Sequence, residues 1–159
     1  MSTTAKNHAF KVEYIKPFID SLNGLFVDHL GATITIGAPT LNKSGMPTYE
    51  VSGVIAFTGT VEGRVVVSFQ TDVAEQIVKG YLQMDDLPEG VLEDCVGELA
   101  NVIAGRAKSE MEQHQIIISP PTVIRGTDYQ IAKSKGTVIS VPCETSYGPV
   151  QVEISIQAV

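Results

Sequence analysis

The chain has no tryptophan, only two cysteines and few basic residues, and each shortage closes a class of function. Cys95 and Cys143 form neither a C-x-x-C pair nor a disulfide framework. Both thiols are therefore expected as small core residues without a redox role. Lys and Arg total 11 against 18 Asp and Glu, a formal charge of −7, and the basic residues are scattered from Lys6 to Lys135 without a cluster. Nucleic acid is a poor partner for such a surface. No run approaches the roughly 18 apolar residues of a membrane span. The opening Met1-Ser-Thr-Thr-Ala-Lys-Asn-His8 is polar and lacks the apolar core of a signal peptide, so a cytoplasmic chain without membrane insertion is expected. Also missing is any Ser-His or Cys-His arrangement, because His8, His29 and His114 have no assignable partner. A self-contained hydrolase is thereby disfavoured. There is no glycine-rich phosphate loop either, since Gly53, Gly59 and Gly63 fall in a hairpin, and no carboxylate or histidine set has metal-ligand spacing. No metal or cofactor of its own is expected.

What is present is ordinary globular composition: 159 residues, 43% hydrophobic and 18% charged, suit a single domain over 1–159 behind a flexible N-terminal tail of about residues 1–10. Val12 to Leu30 reads as a helix, with Tyr14, Phe18, Leu22, Leu25 and His29 at helical spacing. Ala32 to Ile36 reads as a strand, and Pro39 to Pro47 as a loop. Tyr49 to Thr58 and Arg64 to Gln70 pair as a hairpin across Gly59 to Gly63. Asp72 with Glu75 starts a helix to Leu82, and Asp86, Pro88 and Glu89 start a longer one to about Gln113. Gln115 to Ser119 and Thr122 to Arg125 make one strand bent at Pro120-Pro121, and Gly126 to Gly136 is a polar connection. Thr137 to Thr145 and Pro149 to Gln157 close the chain as a second hairpin, whose last strand alternates cleanly between apolar and polar residues. The expected fold is α+β: two pseudo-repeated halves, each a helix plus three strands, form a mostly antiparallel six-stranded sheet packed by helices. The last strand, apolar and alternating, offers an edge for pairing.

The long helix is the informative stretch. At about 100° per residue Leu92, Cys95, Val96, Leu99 and Ile103 form one stripe, while Asp94, Glu98, Asn101, Gly105 and Lys108 gather opposite. That presented side also counts Gly97, and each glycine costs about 1 kcal/mol against alanine in a helix interior. Helix stability did not select them. Their absent side chains let another surface approach a carboxylate and an amide, so Asp94, Gly97 and Gly105 are read as docking positions around Glu98 and Asn101. An acid and an amide three residues apart sit side by side on a helix. Neither is a nucleophile for hydrolysis, but an amide can orient a water toward a phosphoryl group whose metal and leaving-group machinery belong to a partner. A carboxylate beside it can hold that partner's lysine. Asp20 and Asn23 in the first helix repeat the spacing with a shorter acid, and so mark a possible degenerate second site.

Asp94-x3-Glu98-x2-Asn101 resembles the signature of the CheC/CheX/FliY family of chemotaxis phosphatases, and Gly97-Glu98-Leu99-Ala100-Asn101-Val-Ile-Ala-Gly105 resembles the CheX branch. The likeness extends to Tyr14-Ile-Lys-Pro17-Phe18-Ile19, Val51-Ser-Gly53-Val54-Ile55, Gly63-Arg-Val-Val-Val-Ser68-Phe69, Pro121-Thr122-Val123 and Glu144-Thr-Ser-Tyr147-Gly148. Pro120 and Pro121 come slightly earlier than the proline of the family pattern. The resemblance implies a phosphatase acting on the aspartyl phosphate of a CheY-type response regulator in chemotaxis or related two-component signalling. It assigns Asn101 to orienting the attacking water, Glu98 to pairing with a receiver lysine, and Asp94 to the acid that opens the motif. It further implies Mg²⁺ supplied by the receiver and a homodimer formed by strand pairing. The alternative of another class is a non-catalytic dimeric module that docks a receiver domain or a chemoreceptor-modifying partner and inhibits or sequesters it.

Overall fold

The computed structural model describes residues 12–42, 48–127 and 137–159. The expected tail over residues 1–10, residues 43–47 of the expected Pro39 to Pro47 loop, and residues 128–136 of the polar connection lie outside them. The fold is α+β, three α-helices on one face of an antiparallel sheet.

Helix α1 (Val12–Gly24) is followed without a break by a π-helical turn (Leu25–His29), closed by the Leu30 amide on the Leu25 carbonyl at 3.1 Å. The wider turn shifts the phase of the apolar stripe. Leu25 and Phe26 are both buried beside Leu22, and His29, read at the same helical spacing, is exposed. Helix α2 (Thr71–Leu82) begins after Gln70, so Asp72 lies inside the first turn, where its charge suits the helix dipole, and does not cap it. Helix α3 (Val91–Glu110) begins three residues later than expected. The cause is local: the Val91 amide donates to the Pro88 carbonyl in a turn, and Gly90 takes a left-handed φ of 84° that a helix cannot contain. A short 3₁₀ turn, Glu112–His114, ends the segment.

Among the described residues eight strands replace the six expected. They are β1 (Ile34–Ile36), β2 (Thr40–Leu41), β3 (Val51–Thr58), β4 (Val61–Phe69), β5 (Ile117–Ile118), β6 (Thr122–Arg125), β7 (Val138–Thr145) and β8 (Gly148–Ala158). The count rises because each outer edge is broken in two, at Gly37 to Pro39 between β1 and β2 and at Ser119 to Pro121 between β5 and β6. Proline cannot donate to a ladder, which confines it to such edges. The order is β1-β7-β8-β4-β3-β5, with β2 also pairing β7 and β6 also pairing β3. Each half of the chain thus supplies the outer strands of the other half's hairpin. Strand β8 lies between β4 and β7 and has no open edge, so it cannot be the pairing edge of a dimer as the sequence suggested.

Alternation along β3, β4, β7 and β8 sends Val51, Ile55, Val65, Val67, Val141, Val152 and Ile154 into a core shared with the helices. The opposite face is polar yet largely buried at its centre. Ser52 and Ser68 hydroxyls share a hydrogen bond of 2.8 Å, and the Gln151 amide donates to the Ser140 hydroxyl. Glu153, 6% exposed, accepts from Asn42 Nδ2 at 2.7 Å and Thr48 Oγ1 at 3.4 Å. Burial pushes the Glu153 carboxyl above the usual carboxylate range, opposed by those two hydrogen bonds and by the Arg64 charge. A carboxyl whose folded value exceeds its unfolded one stabilises the fold below the unfolded value, and that contribution is lost as pH rises through the folded value. Urea unfolding of wild type beside Glu153→Gln, from about pH 4 to about pH 8, is expected to shift the stability difference toward the Gln variant as pH rises. A difference independent of pH would contradict the desolvation penalty.

Candidate functional site: the outer strip of α3

Helix α3 is buried over most of its circumference. Leu92, Cys95, Val96, Gly97, Leu99, Ala100, Ile103, Ala104 and Ala107 are all enclosed, because α3 lies on β3 with α1 along one flank and β5 and β6 along the other. What remains outside is a narrow strip: Asp94, Glu98 and Lys108 are exposed, and Asn101 and Gly105 are half-buried. Asp94 lies in the helix's first turn, next to Glu93, whose Oε1 accepts from Arg125 Nη1 at 2.6 Å. Asp94, Glu98 and Asn101 make no side-chain hydrogen bond or ion pair with the described residues. Their donors and acceptors face solvent.

Two glycines set the depth of this strip. Gly53 of β3 lies directly beneath the turn that carries Asn101: a Cβ at that position would stand 2.9 Å from the Ala100 Cβ and 3.2 Å from the Val96 carbonyl oxygen. A glycine inside a strand signals close backbone approach, and this one lets α3 settle onto the sheet. Gly97, expected on the presented side, is buried instead: a Cβ there would meet Val123 Cγ2 at 3.3 Å and Pro121 Cγ at 3.4 Å. It marks the border of the strip, where β6 crosses the helix. Gly105 is the opposite case, with nothing within 4 Å of an added Cβ.

The Asp20 and Asn23 pair sits on α1, packed beside α3 by a Ser21 hydroxyl that donates to the Ile103 carbonyl at 2.8 Å. Asp20 is ion-paired with Lys16 one turn earlier, and Asn23 is exposed. Sequence reasoning missed Arg106, which crosses Gly24 of α1 to reach the His29 ring. His114 packs edge-on to Tyr14 with ring centroids 5.5 Å apart and shares a 3.1 Å hydrogen bond with the Thr60 hydroxyl, a structural arrangement. Both cysteines are buried as unpaired thiols, and desolvation raises each to about 11, with Glu98 adding to the effect at Cys95. Such thiols stay protonated and unreactive near neutral pH. Among the described residues no three His, Cys, Asp or Glu side chains gather as a metal site, and no helix is long and apolar enough to cross a membrane.

An antiparallel sheet closed by exchanged outer strands and packed by helices is a CheC-like fold. A CheC-like superfamily protein of Shewanella sp. PV-4 superposes with a TM-score of 0.82 at 29% identity, over 94% of this chain and all of the other. The family model of the chemotaxis phosphatase CheX matches residues 51–144, and the CheY-P phosphatase CheX of Thermotoga maritima is 31% identical over 134 residues, 80% of this chain and 84% of that protein. The chain belongs to the CheX family of chemotaxis phosphatases. The fold is shared as well by the CheX of a Borrelia burgdorferi CheX-CheY-BeF₃-Mg²⁺ complex, with a TM-score of 0.78 at 22% identity over 92% of this chain and 99% of the other.

The seat of α3 yields a test. Valine has the higher strand propensity, a gain of at most about 1 kcal/mol. Forcing side-chain carbons into the 2.9 Å gap costs about 1–3 kcal/mol, so Gly53→Val is expected to lower Tm by several degrees in a thermal melt followed by circular dichroism. An unchanged Tm would mean that α3 is free to back away from β3.

Proposed function

We propose that the α3 strip docks a phosphorylated CheY-type receiver domain and hydrolyses its aspartyl phosphate. The observation that carries the reading is a carboxylate and an amide one turn apart at Glu98 and Asn101, both without side-chain partners among the described residues, on the outer strip of a helix that is otherwise largely buried. The activity named for the Thermotoga maritima relative supports it. In this reading Glu98 pairs with a receiver lysine, a charge-assisted bond that fixes the register of the two proteins. The Asn101 amide has both a donor and an acceptor, and so can hold a water in line with the phosphorus. Water attacks as the bond from phosphorus to the aspartyl oxygen breaks, releasing phosphate and the receiver carboxylate. Little covalent work is asked of the phosphatase, because catalysis of this kind is positioning and charge stabilisation. Mg²⁺ belongs to the receiver, in line with the composition of the Borrelia burgdorferi complex.

Asp94 adds negative charge one turn before Glu98 and draws the receiver lysine in; Gly105 gives clearance one turn after Asn101. Asp20 and Asn23 form a degenerate second site. The position four residues before Asp20 holds Lys16, which already engages the carboxylate, whereas the corresponding position before Glu98 holds Asp94. The homodimer belongs to the same reading, and its strand pairing falls to an outer edge, since β8 is flanked on both sides.

Decay of ³²P-labelled receiver phosphate with catalytic amounts of this protein tests the assignment. Asn101→Ala is expected to lower turnover at least a hundredfold with little change in receiver affinity, because the amide acts mainly in the transition state, while Glu98→Ala weakens both. Equal turnover by wild type and Asn101→Ala would sink the mechanism, and binding without acceleration would favour the non-catalytic module. Gly105→Trp is expected to weaken receiver binding without lowering Tm, since the added ring has open space in the free protein. Unchanged affinity would remove Gly105 from the docking surface.

A further inference from the structure

On the face of the sheet that carries no helix, Arg64 stands out. It lies on β4, paired across the ladder with Ala56 of β3 and Ser155 of β8, and faces away from the core that Val65 and Val67 enter. Its side chain is half-buried, yet it makes no hydrogen bond or ion pair with the described residues. Burial pushes the guanidinium down from its ordinary value and the Glu153 charge opposes this; arginine nonetheless stays a cation. Glu153 would be the natural acceptor, but its two oxygens are engaged by Asn42 and Thr48. Glu62, the other nearby acid, accepts from the Gln157 amide at 3.0 Å. Among the described residues neither carboxylate accepts a hydrogen bond from the Arg64 fork. A half-buried guanidinium with no protein acceptor among the described residues keeps its donors available to an incoming group.

A cleft lies beside it. Ala56, Thr58, Glu62, Arg64 and Gln157 line a cleft of about 340 Å³ across β3, β4 and β8. That volume lies at the small end of ligand sites, which combine an apolar body with a few convergent polar groups. Here Ala56 and the flat backbone at Gly63 supply the floor, the Thr58 hydroxyl is a neutral hydrogen-bonding group, and Arg64 supplies the charge. We propose that this cleft binds a small molecule bearing a carboxylate or phosphate group, with the oxyanion held by the Arg64 fork and the remainder of the molecule against Ala56 and Thr58. A guanidinium matches two oxygens of such a group at once, which an ammonium does not. The site lies on the opposite face of the sheet from α3 and does not rest on the phosphatase reading.

The test is an NMR titration of the full chain with sodium phosphate and, separately, sodium succinate, against sodium chloride at equal ionic strength. The Arg64 Nε–Hε signal and the Gln157 side-chain amide are expected to shift saturably with at least one of the two anions and not with chloride, while Asp94, Glu98 and Asn101 stay in place. Arg64→Gln is expected to weaken binding at least tenfold. Arg64→Lys, which keeps the charge and guards against a folding defect, is expected to weaken it severalfold because the fork is lost. Four outcomes would overturn the proposal: no saturable shift, the same shift with chloride, undiminished affinity in Arg64→Lys, or broadening of these signals with protein concentration alone, which would make the cleft a contact between copies.

Discussion

The contact on which the site depends is the seating of α3 on β3. Gly53 removes the one side chain that would hold the helix off the sheet at Val96 and Ala100, and Gly97 removes the one that would hold off Pro121 and Val123. With both gaps closed, nine residues of α3 are enclosed and only a strip faces out. A helix embedded to this depth has little freedom to roll, so the side chains of Glu98 and Asn101 leave the surface in a set direction. Positioning chemistry needs that rigidity, since a displacement of about 1 Å can cost two orders of magnitude in rate.

Much of this was legible in the chain, and the failures have identifiable causes. The α+β class, the two hairpins, β6 at Thr122–Arg125 and the exposed side of α3 followed from period and turn chemistry. Helix ends were read less well, because a proline and an acid near a start resemble a cap whether or not the chain enters the helix there; the left-handed Gly90 decides, and its φ is invisible in sequence. The π turn after α1 was equally hidden, since periodicity assumes one pitch, and the error fell on His29. Gly97 was misread for a different reason. Its angle on the helix wheel places it at the edge of the open face, and only the crossing of Pro121 and Val123 settles which side of that edge it occupies. Gly53 carried a signal that was available and unused, because a glycine within a valine-rich strand marks a close approach.

The two helices that repeat an acid and an amide differ most in the sign of the charge one turn earlier. Asp94 precedes Glu98 and leaves it unpaired; Lys16 precedes Asp20 and engages it. The pair is exposed and screened by solvent, so Lys16 is no strong lock. In the proposed docking its effect is on the field: an incoming lysine would meet two acids on α3 and a neutralised acid on α1. Such long-range bias governs encounter more than final affinity, and it orients a cationic patch toward α3 before contact.

The polar alternation of β8 shows how far pattern alone can mislead. Gln151, Glu153 and Ser155 alternate with the apolar residues of β8, yet all three are buried, and Gln151 and Glu153 spend their polar atoms on Ser140, Asn42 and Thr48. Binary patterning distinguishes apolar from polar, not wet from dry. A polar layer inside the protein is stable only where its groups are satisfied, because low dielectric strengthens each bond and penalises each orphan. In that layer the acids have found donors and the hydroxyls have found each other, while the one guanidinium among these described residues has not. A cation with no hydrogen-bond acceptor among the described residues, beside an open cleft, has donors to offer an incoming oxyanion.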